Sequence, residues 1–341
     1  LKKSKKLISY KIEKRSGFVP SINQFYVAKS HQVVVLSETV GGDAPKDLIR
    51  LYVYKEGKKS NTKTWKKYIA KIGHKWYPNE SITEHFLTVL GQSFDISIAN
   101  SKLIFAEDYV RYLSQHFHSD EQLLSHGANI LTSYLNEPNT EWIDELDRNN
   151  KLKGEINIED VLFALRKVFH DDADEIIDSF LHMILFDALS GNNDRHYYNW
   201  GVISHIKNHH KPYFSPIYDT ARGLLWNYSD EKVISLYKEL ASNDKIQLTK
   251  YVINSVPKIS VPNNAKCNHF DLINHLHQNS CFNAAHIKVW TDRNKLDLIL
   301  NKLHKNFSNL FIKERIKVID YVLTNRFEKI SKILLNNSYD K

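Results

Sequence analysis

The spacing of the apolar residues changes character once along this chain, and that change constrains the fold more than any other feature. From about Tyr26 to Gly73 they come in short alternating runs, QFYVA, HQVVVLS, LIRLYVY and KKYIAKIG, broken by the turn-forming stretches GGDAPK and KEGKKSNTK. This predicts an antiparallel sheet, because strand side chains alternate between two faces and one face suffices for a core. SITEHFLTVLGQSF then opens a helix with Ser81 and Glu84 spaced as a capping box, and ISIANSKLIF and YVRYLS return to strand spacing. Beyond Phe117 the period is helical in DEQLLSHGANILTSYL, IEDVLFALRKVF, DEIIDSFLHMILFDAL and the run from Asn294 to Leu335. Only two β-like pieces, WGVIS and YFSPIYD, interrupt it. The chain of 341 residues exceeds the roughly 250 to 300 that one core serves well. It reads as α+β with two lobes: a small antiparallel β-rich N-lobe over residues 1–115 and a mainly helical C-lobe over 116–341.

Charge divides along the same axis. The net +8 resolves into +13 for residues 1–75, −14 for 76–200 and +9 for 201–341. A basic first third suits an anionic cofactor or nucleic acid, whereas the acidic middle repels a phosphate backbone. Direct nucleic-acid binding is therefore a secondary expectation, which a salt-dependent gel shift tests. Two cysteines, Cys267 and Cys281, make no disulfide framework, so a reducing, cytoplasmic setting is expected. The most apolar stretch, Ile176 to Leu189, is too short to span a bilayer and contains Asp178, His182 and Asp187, so no membrane partner is expected. Cys267, His269, His277 and Cys281 have the spacing of a zinc site without the tight turns of a zinc knuckle, and they read as structural or surface residues.

The chemistry concentrates in two stretches, Ser190 to Ile203 (SGNNDRHYYNWGVI) and Ser215 to Asn227 (SPIYDTARGLLWN). A long apolar helix ends at Gly191, and a polar loop then places Asp194, His196 and Asn199 close together. A hairpin follows, and Asp219 comes twenty residues after Asn199. The set fits phosphoryl transfer from ATP. That reaction needs a carboxylate to orient and deprotonate a hydroxyl, here Asp194, and hard oxygen ligands for Mg2+, here Asn199 and Asp219. The N-terminal region supplies complements. Gly41 and Gly42 in SETVGGDAPK let backbone N–H groups approach a phosphate, and Lys46 adds charge. Lys71 sits on an apolar strand where an ammonium needs an anion. Glu84 on the next helix is either its partner or only the third residue of the capping box, with Glu80 as a less well placed substitute.

In this order, glycine loop, strand lysine, helix glutamate, D-x-H-x-x-N and a second Asp, the chain resembles the HipA family of bacterial serine/threonine kinases, the toxins of HipBA-type toxin-antitoxin modules. GNNDRHYYNW is the strongest motif and PIYDTARG the second. The resemblance implies a two-lobed protein-kinase-like fold with ATP and Mg2+ between the lobes. It makes Asp194 the catalytic base, His196 a support for its loop, Asn199 and Asp219 the metal ligands, and Lys71 a contact to the ATP phosphates. Ser114 to Phe117 would be the hinge beside the adenine. It further implies a protein substrate, a HipB-like DNA-binding antitoxin, and autophosphorylation in the phosphate loop at Thr39 or Ser37, where about −2 of added charge would repel ATP. Only 36 residues precede Ser37, against roughly a hundred in longer members, so a short form is expected whose N-terminal subdomain is absent or separately encoded. Two rivals share the motifs: a phosphoinositide-type lipid kinase, whose catalytic loops also contain D-R-H-x-x-N, and a kinase-fold scaffold in a DNA-bound antitoxin complex.

Overall fold

The computed structural model describes residues 6–37, 46–207 and 210–336, so Thr39, Gly41 and Gly42 lie outside the described residues. The first lobe is built on β1 (Tyr26–Val27), β2 (Val33–Val35), β3 (Lys46–Leu51), β4 (Lys66–Lys71), β5 (Ser101–Ala106) and β6 (Tyr109–Gln115), with helix α1 (Asn79–Ser93) inserted between β4 and β5. The strands form one sheet in the order β1-β5-β6-β4-β3-β2, antiparallel except for the parallel β1–β5 pair. Alternation does what it predicts: Ile49 and Leu51, Tyr68 and Ala70, and Ile104 and Ala106 turn to one face and bury a small core with Leu113. The register puts Lys46 opposite Lys71 at one end and Leu51 opposite Lys66 at the other. Five residues of strand, about 17 Å, therefore separate the two ends. The basic turn containing Lys55, Lys58, Lys59 and Lys63 lies beyond the Leu51–Lys66 end, and none of these lysines lines the interlobe cleft.

Helix α1 corrects the capping expectation. It begins at Asn79, two residues ahead of Ser81, and the Ser81 hydroxyl instead accepts the Gly73 backbone N–H at 3.0 Å. Glu80 serves the helix entrance, its Oε2 accepting the N–H groups of Lys75 and Trp76 at 3.2 and 3.3 Å. Glu84 is thereby released from any capping duty. The helix is buried around most of its circumference, and Phe86 meets Phe307 edge-on at 5.0 Å while Phe94 stacks on Trp290 at 4.9 Å. Although it interrupts the sheet in sequence, α1 packs into the helical body.

The second lobe opens with β7 (Gln122–His126), which pairs with β8 (Gly201–His205), itself paired with β9 (Tyr213–Phe214). Residues 122–126 were expected to be helical. Pairing with β8 overrides that local pattern, and the helix starts only at α2 (Gly127–Leu135), where a Cβ on Gly127 would come within 2.3 Å of the buried Trp200 ring. Next come α3 (Glu141–Arg148), α4 (Leu152–Glu155), α5 (Ile158–Phe169) and α6 (Ala173–Ser190). After β9 follow α7 (Asp230–Glu239), α8 (Ile246–Ile253), α9 (His269–Gln278) and α10 (Ala284–Thr291). The terminal apolar run divides into α11 (Arg293–Asn306) and α12 (Lys313–Leu335), with Phe307 and Phe311 turned inward at the break. No described helix is long and apolar enough to cross a membrane.

Helix α6 is buried along nearly its whole length and ends on Gly191 in the left-handed conformation (φ +65°), directly before the polar loop. A Cβ there would lie 1.8 Å from the Arg326 guanidinium. The backbone penalty alone is about 1–2 kcal/mol for a non-glycine residue. Gly191→Ala is expected to lower the melting temperature through strain and clash together, a loss read directly by calorimetry.

Candidate active site

The interlobe cleft has a volume of about 660 Å3. Lys71, the last residue of β4, points into it because strand alternation turns it to the face shared with Ile69. Its ammonium lies 2.8 Å from Glu84 Oε1 and 2.9 Å from Asp219 Oδ1. Two carboxylates thus share one cation, and their surroundings separate them. Burial disfavours the Lys71 charge, but Asp219 and Glu84 outweigh it and hold the ammonium well above the usual lysine range. Burial likewise opposes charge on Asp219, yet Lys71, then Lys46, hold that carboxyl below its usual range. Glu84, almost fully enclosed, is pushed up to about 7 by burial, with Lys71 only partly offsetting it. A raised carboxyl pKa means the folded state binds the proton more tightly than the unfolded chain. This group therefore contributes stability below about 4.5 that is lost as pH rises through about 7. Glu84→Gln is expected to flatten that part of the stability–pH profile, a change followed by thermal melts across the range.

The polar loop between α6 and β8 is a tight turn. The His196 N–H donates to the Asp194 carbonyl at 2.9 Å, the Asn199 N–H to the His196 carbonyl at 2.9 Å, and Asn199 Nδ2 to the Asp194 carbonyl at 2.8 Å. The last bond orients the Asn199 amide so that its oxygen remains available. Burial lowers the His196 pKa, and its neutral ring accepts the Tyr198 N–H at 3.2 Å. Beneath the loop lies a framework that motif spacing did not reveal. Asp187 on α6 receives two hydrogen bonds from Arg195, Nε to Oδ2 at 2.8 Å and Nη2 to Oδ1 at 3.0 Å, and both side chains are 2% exposed. The remaining Arg195 nitrogen, Nη1, donates to the carbonyls of Asn199 at 2.7 Å and Tyr218 at 2.6 Å. One guanidinium thus ties the helix to the Asp194 loop and to the residue preceding Asp219. Asp219 itself adopts φ +54°, a left-handed conformation that Asp tolerates better than most residues and that a functional site can justify.

Asn192 completes the support. Its Nδ2 donates to Asp187 at 3.0 Å, its Oδ1 accepts the Asp194 N–H at 3.2 Å, and its backbone carbonyl accepts His269 Nε2 at 2.8 Å. His269 therefore serves the loop. The other residues with zinc-like spacing are engaged separately, Cys267 beside the Ile259 carbonyl and His277 with the Asn336 carbonyl. A different trio, Asp178, His182 and His286, comes together, but Trp290 Nε1 donates to His182 Nδ1, and His286 is bonded on one side to the Asp178 carbonyl and on the other to Asn283. Its imidazole nitrogens are already largely committed within the protein.

Of the residues singled out by sequence, Lys46, Lys71, Glu84, Ser114, Phe117, Asp194, His196, Asn199 and Asp219 all line the one cleft. Thr39, Gly41 and Gly42 fall outside the described residues, and Ser37 is exposed and not among the cleft-lining side chains. Leu48, Ile69, Phe117 and Leu124 add apolar wall, with the Phe117 and Tyr218 rings 5.5 Å apart. Arg222, which spacing alone did not pick out, also enters the cleft.

A strand lysine paired with a helix glutamate, facing an Asp-and-Asn loop across an interlobe cleft, defines a two-lobed kinase-like fold. The model of the HipA-like C-terminal domain matches residues 39–268, about two thirds of the sequence, and the chain belongs to that family. It is similar to the serine/threonine-protein kinase CtkA of Helicobacter pylori, with 27% identity over 209 residues, covering 58% of this chain and 60% of that protein. The match thus spans about three fifths of the curated relative's length. The crystal structure of a Helicobacter pylori proinflammatory kinase CtkA superposes with a TM-score of 0.66 at 16% identity, covering 92% of this chain and 98% of that one, a likeness of fold. HipA in a complex with HipB and operator DNA from Shewanella oneidensis MR-1 is a looser match, TM-score 0.44 at 11% identity over 78% of this chain and 58% of that one.

Proposed function

We propose that the protein is an ATP- and Mg2+-dependent serine/threonine protein kinase. The observation that carries this reading is Lys71 held between Glu84 and Asp219 in a cleft that also receives Asp194 and Asn199. Each group has a role that its surroundings suit. Asp194, 37% exposed at its side chain, is open enough to receive an acceptor hydroxyl and take its proton. Lys71 can exchange its contact with Asp219 for a phosphate oxygen while keeping Glu84 as its anchor. Ser114 to Phe117, with Leu48 and Ile69, offer backbone and apolar surface for a base.

The donor set fits a magnesium ion. Asp219 offers a carboxylate that stays ionised and is one-third exposed, and Asn199 offers an amide oxygen oriented by its bond to Asp194; both are hard oxygen ligands. When bound, the ion would neutralise charge on the phosphates. The transfer itself breaks the bond between the γ-phosphorus and ADP's leaving oxygen and forms one to the Ser or Thr oxygen. The hydroxyl proton passes to Asp194.

The acceptor is a protein, with Thr39 or Ser37 of the chain's own phosphate loop as intramolecular acceptors and a HipB-like antitoxin as a binding partner. Intact mass after incubation with Mg-ATP, with Asp194→Ala as control, tests both activity and autophosphorylation. Added phosphate on wild type alone supports the reading. Labelled phosphate entering phosphoinositide vesicles but no protein would replace it with the lipid-kinase reading.

A further inference from the structure

Three residues beyond Asp219, Arg222 reaches into the same cleft. Its guanidinium is held over the Trp226 ring, 3.9 Å from the centroid, which restrains its plane. Two carboxylates stand near it without a hydrogen bond: Nη1 is 3.6 Å from Glu80 Oε1, and Nε is 3.7 Å from Asp194 Oδ2. Nη1 is buried and has no acceptor among the described residues. This sets Arg222 apart from Arg195 and Arg315, whose nitrogens are spent on carboxylates and backbone carbonyls at ordinary hydrogen-bond distances. A buried donor left unmet carries its full desolvation cost, so the arrangement is complete only when an acceptor enters beside Asp194.

We propose that this acceptor is the phosphoryl group in transfer, and that Arg222 is a catalytic residue whose N–H groups hold its non-bridging oxygens. The proposal rests on the kinase reading above. The base carboxylate receives the hydroxyl proton across about 2.6–3.2 Å. The attacking oxygen stands about 3–3.5 Å from the phosphorus. A guanidinium already 3.7 Å from that carboxylate is therefore within reach of the phosphoryl oxygens as the bond to ADP breaks and the bond to the hydroxyl oxygen forms. Arg222 gains and loses no atom in this step. It supplies a planar fork of donors to charge spread over the equatorial oxygens, a geometry that lysine cannot reproduce. Trp226 fixes the fork in advance, so little ordering remains to be done at the transition state.

Three measurements on wild type, Arg222→Ala and Arg222→Lys test this: affinity for a fluorescent ATP analogue, turnover of phosphate onto protein, and thermal stabilisation by ADP with aluminium fluoride relative to ADP alone. Arg222→Ala is expected to bind the ATP analogue within about twofold of wild type, as for an interaction made only in the transition state. Its kcat should fall by about 10³-fold or more, the scale of an arginine acting on a transferring phosphoryl group. The extra stabilisation by aluminium fluoride should disappear, and Arg222→Lys should restore only part of either effect. Unchanged kcat in Arg222→Ala would overturn the proposal, as would equal losses of ATP affinity and turnover, which mark ground-state binding. If Arg222→Ala does not fold, the same criteria apply to Arg222→Lys, in which full recovery of kcat would overturn the fork argument. A wild-type protein that binds no nucleotide and transfers no phosphate overturns the kinase reading with it, an outcome distinct from an active wild type indifferent to Arg222.

Discussion

Replacing Asp194 by asparagine is expected to reduce phosphotransfer by about 10²- to 10⁴-fold, the usual worth of a positioned general base, while leaving nucleotide affinity and melting temperature close to wild type. The combination follows from how the residue is held. Its backbone carbonyl accepts Asn199 Nδ2 and its backbone N–H donates to Asn192, whereas its carboxylate makes no hydrogen bond among the described residues and is partly exposed. Asparagine keeps the backbone bonds and loses the capacity to take a proton together with the charge that faces Arg222. Asp219→Asn should cost at least as much activity with a different signature. It removes one of the two carboxylates on Lys71 and, under the proposed metal assignment, weakens the binding of Mg2+, so a titration of Mg2+ at fixed ATP, shifted to higher concentration in this variant alone, separates the two. Near-wild-type activity of Asp219→Asn in Mg2+ would make the metal assignment wrong.

The largest effect on stability is expected from Arg195→Met. Removing one member of a buried ion pair strands the other charge and costs about 3–5 kcal/mol. Asp187 would be left 2% exposed with only Asn192 to receive, and the carbonyls of Asn199 and Tyr218 would lose their shared donor. Those carbonyls belong to the Asp194 loop and to the approach to Asp219, so phosphotransfer should collapse as well. The double variant Asp187→Leu/Arg195→Met discriminates between the two losses. Replacing both partners with apolar groups should recover much of the stability, since such exchanges are often neutral, without restoring activity. Denaturant melts of the single and double variants measure the first part, and turnover measures the second.

The residues proposed to meet a ligand were more legible than those that hold them in place. Lys71 stood out because an ammonium on an apolar strand needs an anion, and Asp194, Asn199 and Asp219 because their spacing suits phosphate chemistry. Arg195 lay within the same motif but carried no signal of its own, since its partner Asp187 is hidden in an apolar helix and the carbonyls it binds have no residue identity. His269 was more obscure still, 77 residues from Asn192 and placed in a misleading pattern of Cys and His. Glu84 could be read in two ways from sequence. The contact of Ser81 with Gly73 decided between them by removing the capping box. Strand β7 was missed for a similar reason, because its pairing partner lies about eighty residues away in the chain.

Local periodicity alone determined the α+β division, the strands from Tyr26 to Gln115 and the long buried helix α6, because side-chain alternation and helical pitch are properties of neighbouring residues. Tertiary structure decided which charges face one another. It placed the basic turn around Lys55 to Lys63 away from the cleft, gave one ammonium two carboxylates, and left Arg222 beside Asp194 with a donor unmet. Electrostatic interaction depends on separation and burial in three dimensions, and neither is written in the order of residues along the chain.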